Sequence, residues 1–148
     1  IPTLVDPKLN NFLAYEGVNL FKPNLKEIRE GLGIELDPSN RPQVEEAVGL
    51  LRKKLNCDSV LLTLSEHGVF IQNQGGSHWV PAFPRNIVDV SGAGDTVVSV
   101  AAFCLASGMP NQYLATIANL AGGLVCEKVG VVPIDKQQLA LEIEAHLG

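Results

Sequence analysis

A long apolar run and a paired set of cysteines are both missing from this sequence. No stretch approaches the ~20 consecutive apolar residues that cross a membrane, so we expect no membrane partner. The N-terminal residues carry neither a basic segment nor a signal cleavage pattern. Cys57, Cys104 and Cys126 form no CxxC pair, and an unpaired set of this kind fits inert core thiols in a reducing cytoplasm. We therefore expect a cytoplasmic protein.

Dense positive charge is also scarce. The net charge is −5, and the one basic cluster, at residues 52–54, falls on a predicted helix face, so we expect no nucleic-acid partner. His67, His78 and His146 share no spacing, and we predict no zinc site from them. The 148 residues are 46% hydrophobic, which is enough for one domain with a core. The chain does not begin with Met, and we expect it to be truncated or processed.

Short apolar runs alternate with helical periodicity along the chain. This alternation predicts an α/β protein whose mostly parallel sheet is covered by helices on both sides. Gly75 and Gly76 separate two strand-like pieces and indicate a hairpin. The other predicted strands are 3–6, 19–24, 59–64 and 86–90, and the predicted helices are 25–33, the stretch after Asn40 to Leu55, 94–107, 111–127 and 136–147.

The run VDVSGAGD places an acid directly behind a glycine turn at the start of a predicted helix. Gly92 and Gly94 lack Cβ atoms, so the backbone can turn tightly and approach a ligand. The N–H groups of a helix start attract anions such as phosphate. Asp95 would repel that anion, and its position suits a base that takes a proton from a hydroxyl attacking a phosphoryl group. The alternative is an acidic helix start with glycines for tight packing.

Four motifs resemble those of the ribokinase (PfkB) family of carbohydrate kinases. In chain order they are N-x-x-E at 24–27, TLG-x-x-G at 63–68, the D-[TV]-[TS]-G-A-G-D signature at 89–95, and the start of A-N-x-A-x-G at 118–122, which runs on to Gly130. Ser65 stands where the family's nucleotide loop usually has glycine. The order and spacing of the four are similar to the family's over nearly the whole chain, and the resemblance implies a three-layer α/β/α ribokinase-like fold.

The resemblance implies a role for each matched residue. Asp95 becomes the catalytic base, and the N–H groups of Gly92, Ala93 and Gly94 hold the transferring phosphoryl group. ATP is bound by Thr63, Leu64, Ser65, Glu66, His67 and Gly68, with Asn119 near the adenine.

The implied metal sites are of two kinds. Asn24 and Glu27 order a Mg²⁺–phosphate assembly through water, although the same pair also reads as a helix capping box. The second is a site for a monovalent cation such as K⁺, and its implied ligands are Asp89, Ser91 and the backbone carbonyls of Val125, Lys128 and Gly130. Lys8 follows a strand end and either neutralises phosphate charge or is a surface lysine.

Longer stretches, among them LVDPK and ANLAGGLVCEKVGVVP, resemble the kinase half of the heptose-phosphate kinase/ADP-heptose synthase group. This implies phosphorylation of the anomeric hydroxyl of D-glycero-D-manno-heptose 7-phosphate for lipopolysaccharide precursors. Residues 1–148 would be the C-terminal, nucleotide-binding and catalytic part of one ribokinase-like domain, without its N-terminal half and lid, and inactive alone. The whole protein would be a homodimer. The alternatives are another sugar or nucleoside kinase of the family, or a nucleotide-binding module without catalysis.

Overall fold

A computed structural model describes residues 1–147, and the chain divides into two compact units. Ile1–Pro81 is here called the sheet unit and Ala82–Gly148 the helical unit, of which Gly148 lies outside the described residues. Within residues 1–147 no helix has the length and apolar character needed to cross a membrane.

A five-stranded sheet in the order β1-β2-β3-β4-β5 organises the sheet unit. Neighbours β1, β2 and β3 are parallel, and β4 pairs antiparallel with both β3 and β5. Four of the five strands therefore run in one direction, which confirms the mostly parallel sheet. The strands are β1 (Leu4–Val5), β2 (Leu20–Phe21), β3 (Ser59–Thr63), β4 (Val69–Asn73) and β5 (Gly76–Val80).

Local residue chemistry explains the best-formed strands. Val60, Leu61 and Leu62 are fully buried, because β3 is apolar on both faces. The predicted hairpin joins β4 to β5, where the Asn73 side chain accepts a hydrogen bond from the Gly75 N–H at 2.8 Å. The continuous apolar run at 59–64 and the Gly75–Gly76 pair were thus enough to predict β3 and the hairpin from the sequence.

Two helices pack on this sheet, α1 (Leu25–Leu32) and α2 (Arg41–Leu55). Helix α1 ends at Gly33 in the left-handed conformation. The Asn40 side chain caps α2 by accepting from the Gln43 N–H at 3.2 Å. The core contains the apolar face of α2, namely Val44, Ala47, Val48, Leu51 and Leu55, together with Phe12, Phe21, Ile28, Leu36, Cys57, Val60, Leu62, Leu64 and Phe70.

The helical unit contains α3 (Ala93–Ala106), α4 (Asn111–Cys126) and α5 (Lys136–Leu147), close to the predicted bounds. Helices α3 and α4 approach closely at Gly122, where an added Cβ would lie 2.7 Å from Cγ2 of Val97. Most of α4 is buried, whereas α5 contains no buried residue among those described. Burial raises the pKa of Cys57, Cys104 and Cys126, which are all free thiols.

The prediction of a strand at 86–90 is wrong. Residues 82–90 are irregular, and no strand occurs among residues 82–147. The N–H groups of Val88 and Asp89 instead donate to the carbonyl of Cys126, at 2.8 and 3.1 Å, where α4 ends. An apolar run becomes a strand only beside a strand partner, and here the end of a helix satisfies its backbone. The glycine turn is therefore a loop-to-helix junction.

Candidate active site

Two predicted site regions meet at the carboxyl ends of β2 and β3. Asn24 and Thr63 form an isolated parallel bridge, and the Thr63 N–H donates to the Pro23 carbonyl at 3.1 Å. The start of the N-x-x-E motif therefore lies beside the start of the predicted nucleotide loop. Carboxyl ends of parallel strands are where ligands bind in sheets of this type.

Asn24 and Glu27 form a complete capping box. The Glu27 N–H donates to Oδ1 of Asn24 at 2.8 Å, and the Asn24 N–H donates to Oε2 of Glu27 at 2.7 Å. The capping interpretation is thus confirmed. Each acceptor oxygen keeps a lone pair, and Oε1 of Glu27 takes no part in the box.

A cavity of about 390 Å³ opens beside this pair. Asn24 and Glu27 line it together with Lys8, so the three residues share one surface. Oxygen donors at the edge of a space of this size fit a Mg²⁺ ion that keeps most of its water. Lys8 is exposed and free to approach an anion there. The remaining lining residues are Leu9, Asn10 and Lys26.

The predicted nucleotide loop is a short 3-10 turn, Ser65–His67. Ser65 has φ +51°, so the position that is usually glycine keeps a left-handed backbone although it carries a side chain. The side chains of Ser65, Glu66 and His67 are exposed. The Leu64 side chain is fully buried in the core, which leaves only its backbone for a ligand.

An ion pair at the same strand ends was missed by the sequence analysis. Nζ of Lys22 lies 3.3 Å from Oδ1 of Asp6, with the lysine side chain 4% exposed. Lys22 precedes the N-x-x-E motif and pairs across strands with the residue after β1, since its N–H donates to the Val5 carbonyl at 2.8 Å. The burial of Lys22 was not predicted, because a single lysine before Pro23 belongs to no apolar periodic pattern.

In the helical unit the glycine turn begins α3 as predicted. Gly92 is the N-cap residue with φ +76°, and an added Cβ would lie 3.0 Å from Cγ1 of Val131. A side chain at this position is therefore both strained and crowded. The Ala93 N–H donates to the Val90 carbonyl at 3.2 Å, so this amide of the turn already has an acceptor.

Asp95 stands in the first turn of α3 with an exposed side chain. No side chain caps this helix, so Asp95 does not act as a cap here. The first intrahelical bond runs from the Thr96 N–H to the Gly92 carbonyl at 3.1 Å. The N–H of Gly94 precedes that bond, where helix geometry provides no intrahelical acceptor. The exposed Asp95 carboxylate thus follows directly after the Gly94 N–H, which is available to an anion.

Asp89 ties the glycine turn to the segment that follows α4. Its Oδ1 accepts the Ser91 N–H at 2.9 Å and its Oδ2 accepts the Gly130 N–H at 2.8 Å. The hydrogen bonds from Ser91, and then the one from Gly130, lower the pKa of Asp89. Three of the five implied cation ligands are therefore in direct contact.

The other residues of the helical unit are placed as follows. Asn119 is half-buried in α4. The Val125 carbonyl, at the end of the same helix, accepts the Lys128 N–H at 3.3 Å, so these two implied cation ligands bond each other.

The predicted site residues divide between the two units. Asn24, Glu27 and residues 63–68 belong to the sheet unit, and Asp89, Ser91, residues 92–95, Asn119, Val125, Lys128 and Gly130 belong to the helical unit.

Comparison with known proteins agrees with these motifs. The sequence model described as "pfkB family carbohydrate kinase" matches residues 1–137. The bifunctional protein HldE of Methylobacillus flagellatus is 37% identical over 146 residues, covering 99% of this chain and 30% of that protein. The bifunctional protein HldE of Methylococcus capsulatus is 37% identical over 146 residues, with shares of 98% and 30%. The chain spans about 30% of the length of these curated relatives.

Solved structures share the fold. Phosphofructokinase-2 from Escherichia coli in complex with substrates and products gives a TM-score of 0.85 at 21% identity, over 99% of this chain and 48% of that one. Arabidopsis thaliana ribokinase complexed with ribose and ATP gives 0.81 at 22% identity, over 97% and 47%. The predicted three-layer α/β/α ribokinase-like class is confirmed.

Proposed function

Because the chain belongs to the pfkB family of carbohydrate kinases, we propose that it is the catalytic and nucleotide-binding part of a sugar kinase. Residues 1–148 would form the C-terminal part of one ribokinase-like domain whose N-terminal half and lid lie elsewhere in a longer, cytoplasmic protein. The observation that carries the proposal is the glycine turn, where exposed Asp95 follows Gly92 and Gly94 at the uncapped start of α3.

The proposed reaction transfers the γ-phosphoryl group of ATP to a sugar hydroxyl. The Asp95 carboxylate takes the proton from a sugar hydroxyl, whose oxygen forms a bond to the γ-phosphorus of ATP. The bond between that phosphorus and the β–γ bridging oxygen breaks, and ADP leaves. The N–H groups of Gly92 and Gly94 stabilise the negative charge on the phosphoryl oxygens, and that of Ala93 joins them once it leaves the Val90 carbonyl.

The sheet unit would supply the nucleotide and metal contacts. Asn24 and Glu27 orient water on a Mg²⁺ ion, which neutralises phosphate charge when bound. Lys8 adds a positive charge in the same cavity. Residues 63–68 contact the nucleotide through backbone groups and exposed side chains. Asn119 stays a predicted adenine contact, as the family resemblance implies.

The proposed sugar is D-glycero-D-manno-heptose 7-phosphate, phosphorylated at its anomeric hydroxyl for ADP-heptose and lipopolysaccharide precursors. Its support is the likeness of the longer sequence stretches and the 37% identity to two bifunctional HldE proteins. Other sugars and nucleosides of the family are the alternative acceptors. An assay of the full-length protein with [γ-³²P]ATP and a panel of acceptors decides among them. Transfer to none of them would support a nucleotide-binding module without catalysis.

A potassium ion is proposed at Asp89 and Ser91, with the backbone carbonyls of Val125, Lys128 and Gly130. One neighbour is a complex of Escherichia coli phosphofructokinase-2 with potassium, with a TM-score of 0.80. Asp89 fits this role because its carboxylate keeps lone pairs after accepting two N–H groups. A homodimer of the full-length protein is also proposed, and light scattering of that protein measures it. Another neighbour is described as a tetrameric inhibited form of phosphofructokinase-2.

The substitution Asp95→Asn tests the proposed base. Asparagine keeps the size and polarity of the side chain but cannot accept the proton. We expect turnover of the full-length protein to fall by at least ~10²-fold, the usual contribution of a proton-transfer group. ATP affinity should hold or rise, because a negative charge beside the phosphates is lost.

Thermal stability provides the control for this substitution. The melting temperature should be unchanged, because α3 has no side-chain cap to lose. A parallel loss of stability and turnover would make Asp95 a structural acid and contradict its assignment as the base.

A further inference from the structure

Arg85 lies in the loop that leads to the glycine turn, and its side chain is only 6% exposed. Its guanidinium pairs with two carboxylates of different elements. Nη1 lies 3.0 Å from Oε1 of Glu127, just after α4, and Nη2 lies 2.9 Å from Oε2 of Glu142 in α5. Nη1 also donates to Oε1 of Glu142 at 3.2 Å, so the contact with α5 is two-pronged. This geometry requires the planar fork of arginine.

The Arg85 guanidinium packs against α4 at Gly123. An added Cβ at Gly123 would collide with Nε of Arg85 and lie 2.8 Å from its Cδ. The absence of a side chain at Gly123 therefore gives the arginine room. Burial alone would lower the pKa of Arg85, but the hydrogen bonds to Glu142 and Glu127 outweigh it and the net pKa is raised. The group is a permanent cation between two acids.

Three further hydrogen bonds, all downstream of Arg85, attach the same loop to the end of α4 and to the segment that follows it. Val88 and Asp89 donate to the Cys126 carbonyl, and Asp89 accepts from Gly130 at 2.8 Å. Among the described residues, α5 has no buried side chain, and its His146 ring lies 4.2 Å from the ring of Phe83 in the same loop. The Arg85 ion pairs are thus the charged anchor that joins the loop, the end of α4 and α5.

We propose that Arg85 is a positioning residue, which fixes residues 86–92 against the end of α4 and thereby sets where the glycine turn places Asp95. The role in turnover rests on the proposed kinase function, whereas the structural role does not. Glu142 lies beyond residue 137, where the family match ends. A displacement of about 1 Å at a reacting group reduces turnover by about 10²-fold, so a remote anchor can control the rate.

Hydrogen exchange of the chain tests the structural role directly. In Glu142→Gln, protection of the Asp89 and Gly130 N–H groups should fall about tenfold, because the loop opens more often. Gly123→Ala should have the same effect by displacing the guanidinium while leaving every charge in place. Glu144→Gln, an exposed acid of the same helix, is the matched control and should leave protection unchanged. The amide of Val60 in β3 reports whether the sheet unit is affected.

Kinetics of the full-length protein test the consequence for turnover. Arg85→Met and Glu142→Gln should each lower kcat by about 10- to 100-fold with KM for ATP within about twofold, since transition-state contacts are lost. Their effects should not multiply in the double variant, because both substitutions remove the Arg85–Glu142 ion pair. Arg85→Lys should recover part of kcat by restoring the charge without the fork.

The outcomes separate the two proposals. Unchanged exchange at Asp89 and Gly130 in Glu142→Gln and Gly123→Ala overturns the positioning role, whatever the activity. The positioning role is also overturned if amide exchange changes in these variants but kcat of an active enzyme does not. The anchor would then have no effect on the site. A wild-type protein without transfer to any acceptor contradicts the kinase proposal alone. If Arg85→Met does not fold, Glu142→Gln and Gly123→Ala still decide.

Discussion

Individual side chains determine the shape of the glycine turn, and Asp89 is the clearest case. It accepts two N–H groups in its ionised form, and its pKa is lowered by the hydrogen bonds from Ser91 and Gly130. A carboxylate with a lowered folded-state pKa stabilises the protein above its unfolded pKa of about 3.9. That stabilisation is lost as the pH falls through the lower, folded value.

We therefore predict an acid-sensitive difference between the wild type and Asp89→Asn. Asparagine has one acceptor oxygen for the two N–H groups, so the variant should unfold at lower urea concentration at pH 7. The two urea midpoints should converge as the pH falls from 5 towards 2, because the wild-type carboxylate becomes protonated. Midpoints that differ equally at every pH would show that the charge of Asp89 does not stabilise the turn.

Several single-residue features were predictable because their signals are local. The capping box at Asn24 and Glu27 is an example, since its two partners are three residues apart. The left-handed backbone at Ser65 was not, because a serine gives no sign of a positive φ. Such a residue costs about 1–3 kcal/mol of strain and is retained where the surroundings fix it.

Helices and strands were predictable where periodicity was strong. Residues 59–64 and the helix after Asn40 both have continuous patterns, and the structure confirms them as β3 and α2. The run at 86–90 has strand-like composition, yet its backbone bonds to the end of α4. A strand depends on its neighbour, which a local pattern does not contain.

The contact between α3 and α4 gives the next prediction. Gly122→Ala places a Cβ 2.7 Å from Cγ2 of Val97, and overpacking of this kind costs about 1–3 kcal/mol. The free energy of unfolding, measured by urea denaturation, should fall accordingly. Adding Val97→Ala should recover part of the loss, because the shorter side chain makes room.

Gly49→Ala in α2 is the matched control for this contact. Its added Cβ would lie 3.5 Å from Oε1 of Gln72, an ordinary contact. The variant should be neutral or more stable, because alanine favours helix. If both glycine variants were destabilised to the same degree, the close α3–α4 contact would not be the cause of the loss.

Nucleotide binding is a property of the whole chain and can be measured without a sugar. We expect calorimetry to detect MgATP with a Kd of about 1 mM, equivalent to about −4.1 kcal/mol. Glu27→Gln should weaken MgATP binding but not ATP binding in EDTA, because the lost carboxylate acts through the metal. The capping box survives, since glutamine also accepts at this position.

Glu30→Gln is the control for binding, because Glu30 lies in the same helix and forms only an exposed pair with Lys26 at 3.9 Å. It should bind MgATP like the wild type. No heat with either nucleotide form, from a chain that is folded by circular dichroism, would contradict the binding proposal.

Contacts between distant parts of the sequence were the least predictable. Arg85 and Glu142 are 57 residues apart, and neither helical nor strand periodicity links them. A lone arginine in a proline-rich loop has the composition of a surface residue. Only the folded chain, with Gly123 leaving space, explains its burial.

The buried thiols give each unit a built-in kinetic reporter. Cys57 belongs to the sheet unit, and Cys104 and Cys126 belong to the helical unit. A shielded thiol reacts with an external disulfide only after the surrounding structure opens, and the thiolate is the reactive form. Mass spectrometry of the labelled peptides therefore times the opening of each unit in the natural sequence. Equal rates for Cys57 and Cys104 would mean that the two units unfold as one cooperative body, and unequal rates would reveal which one opens first.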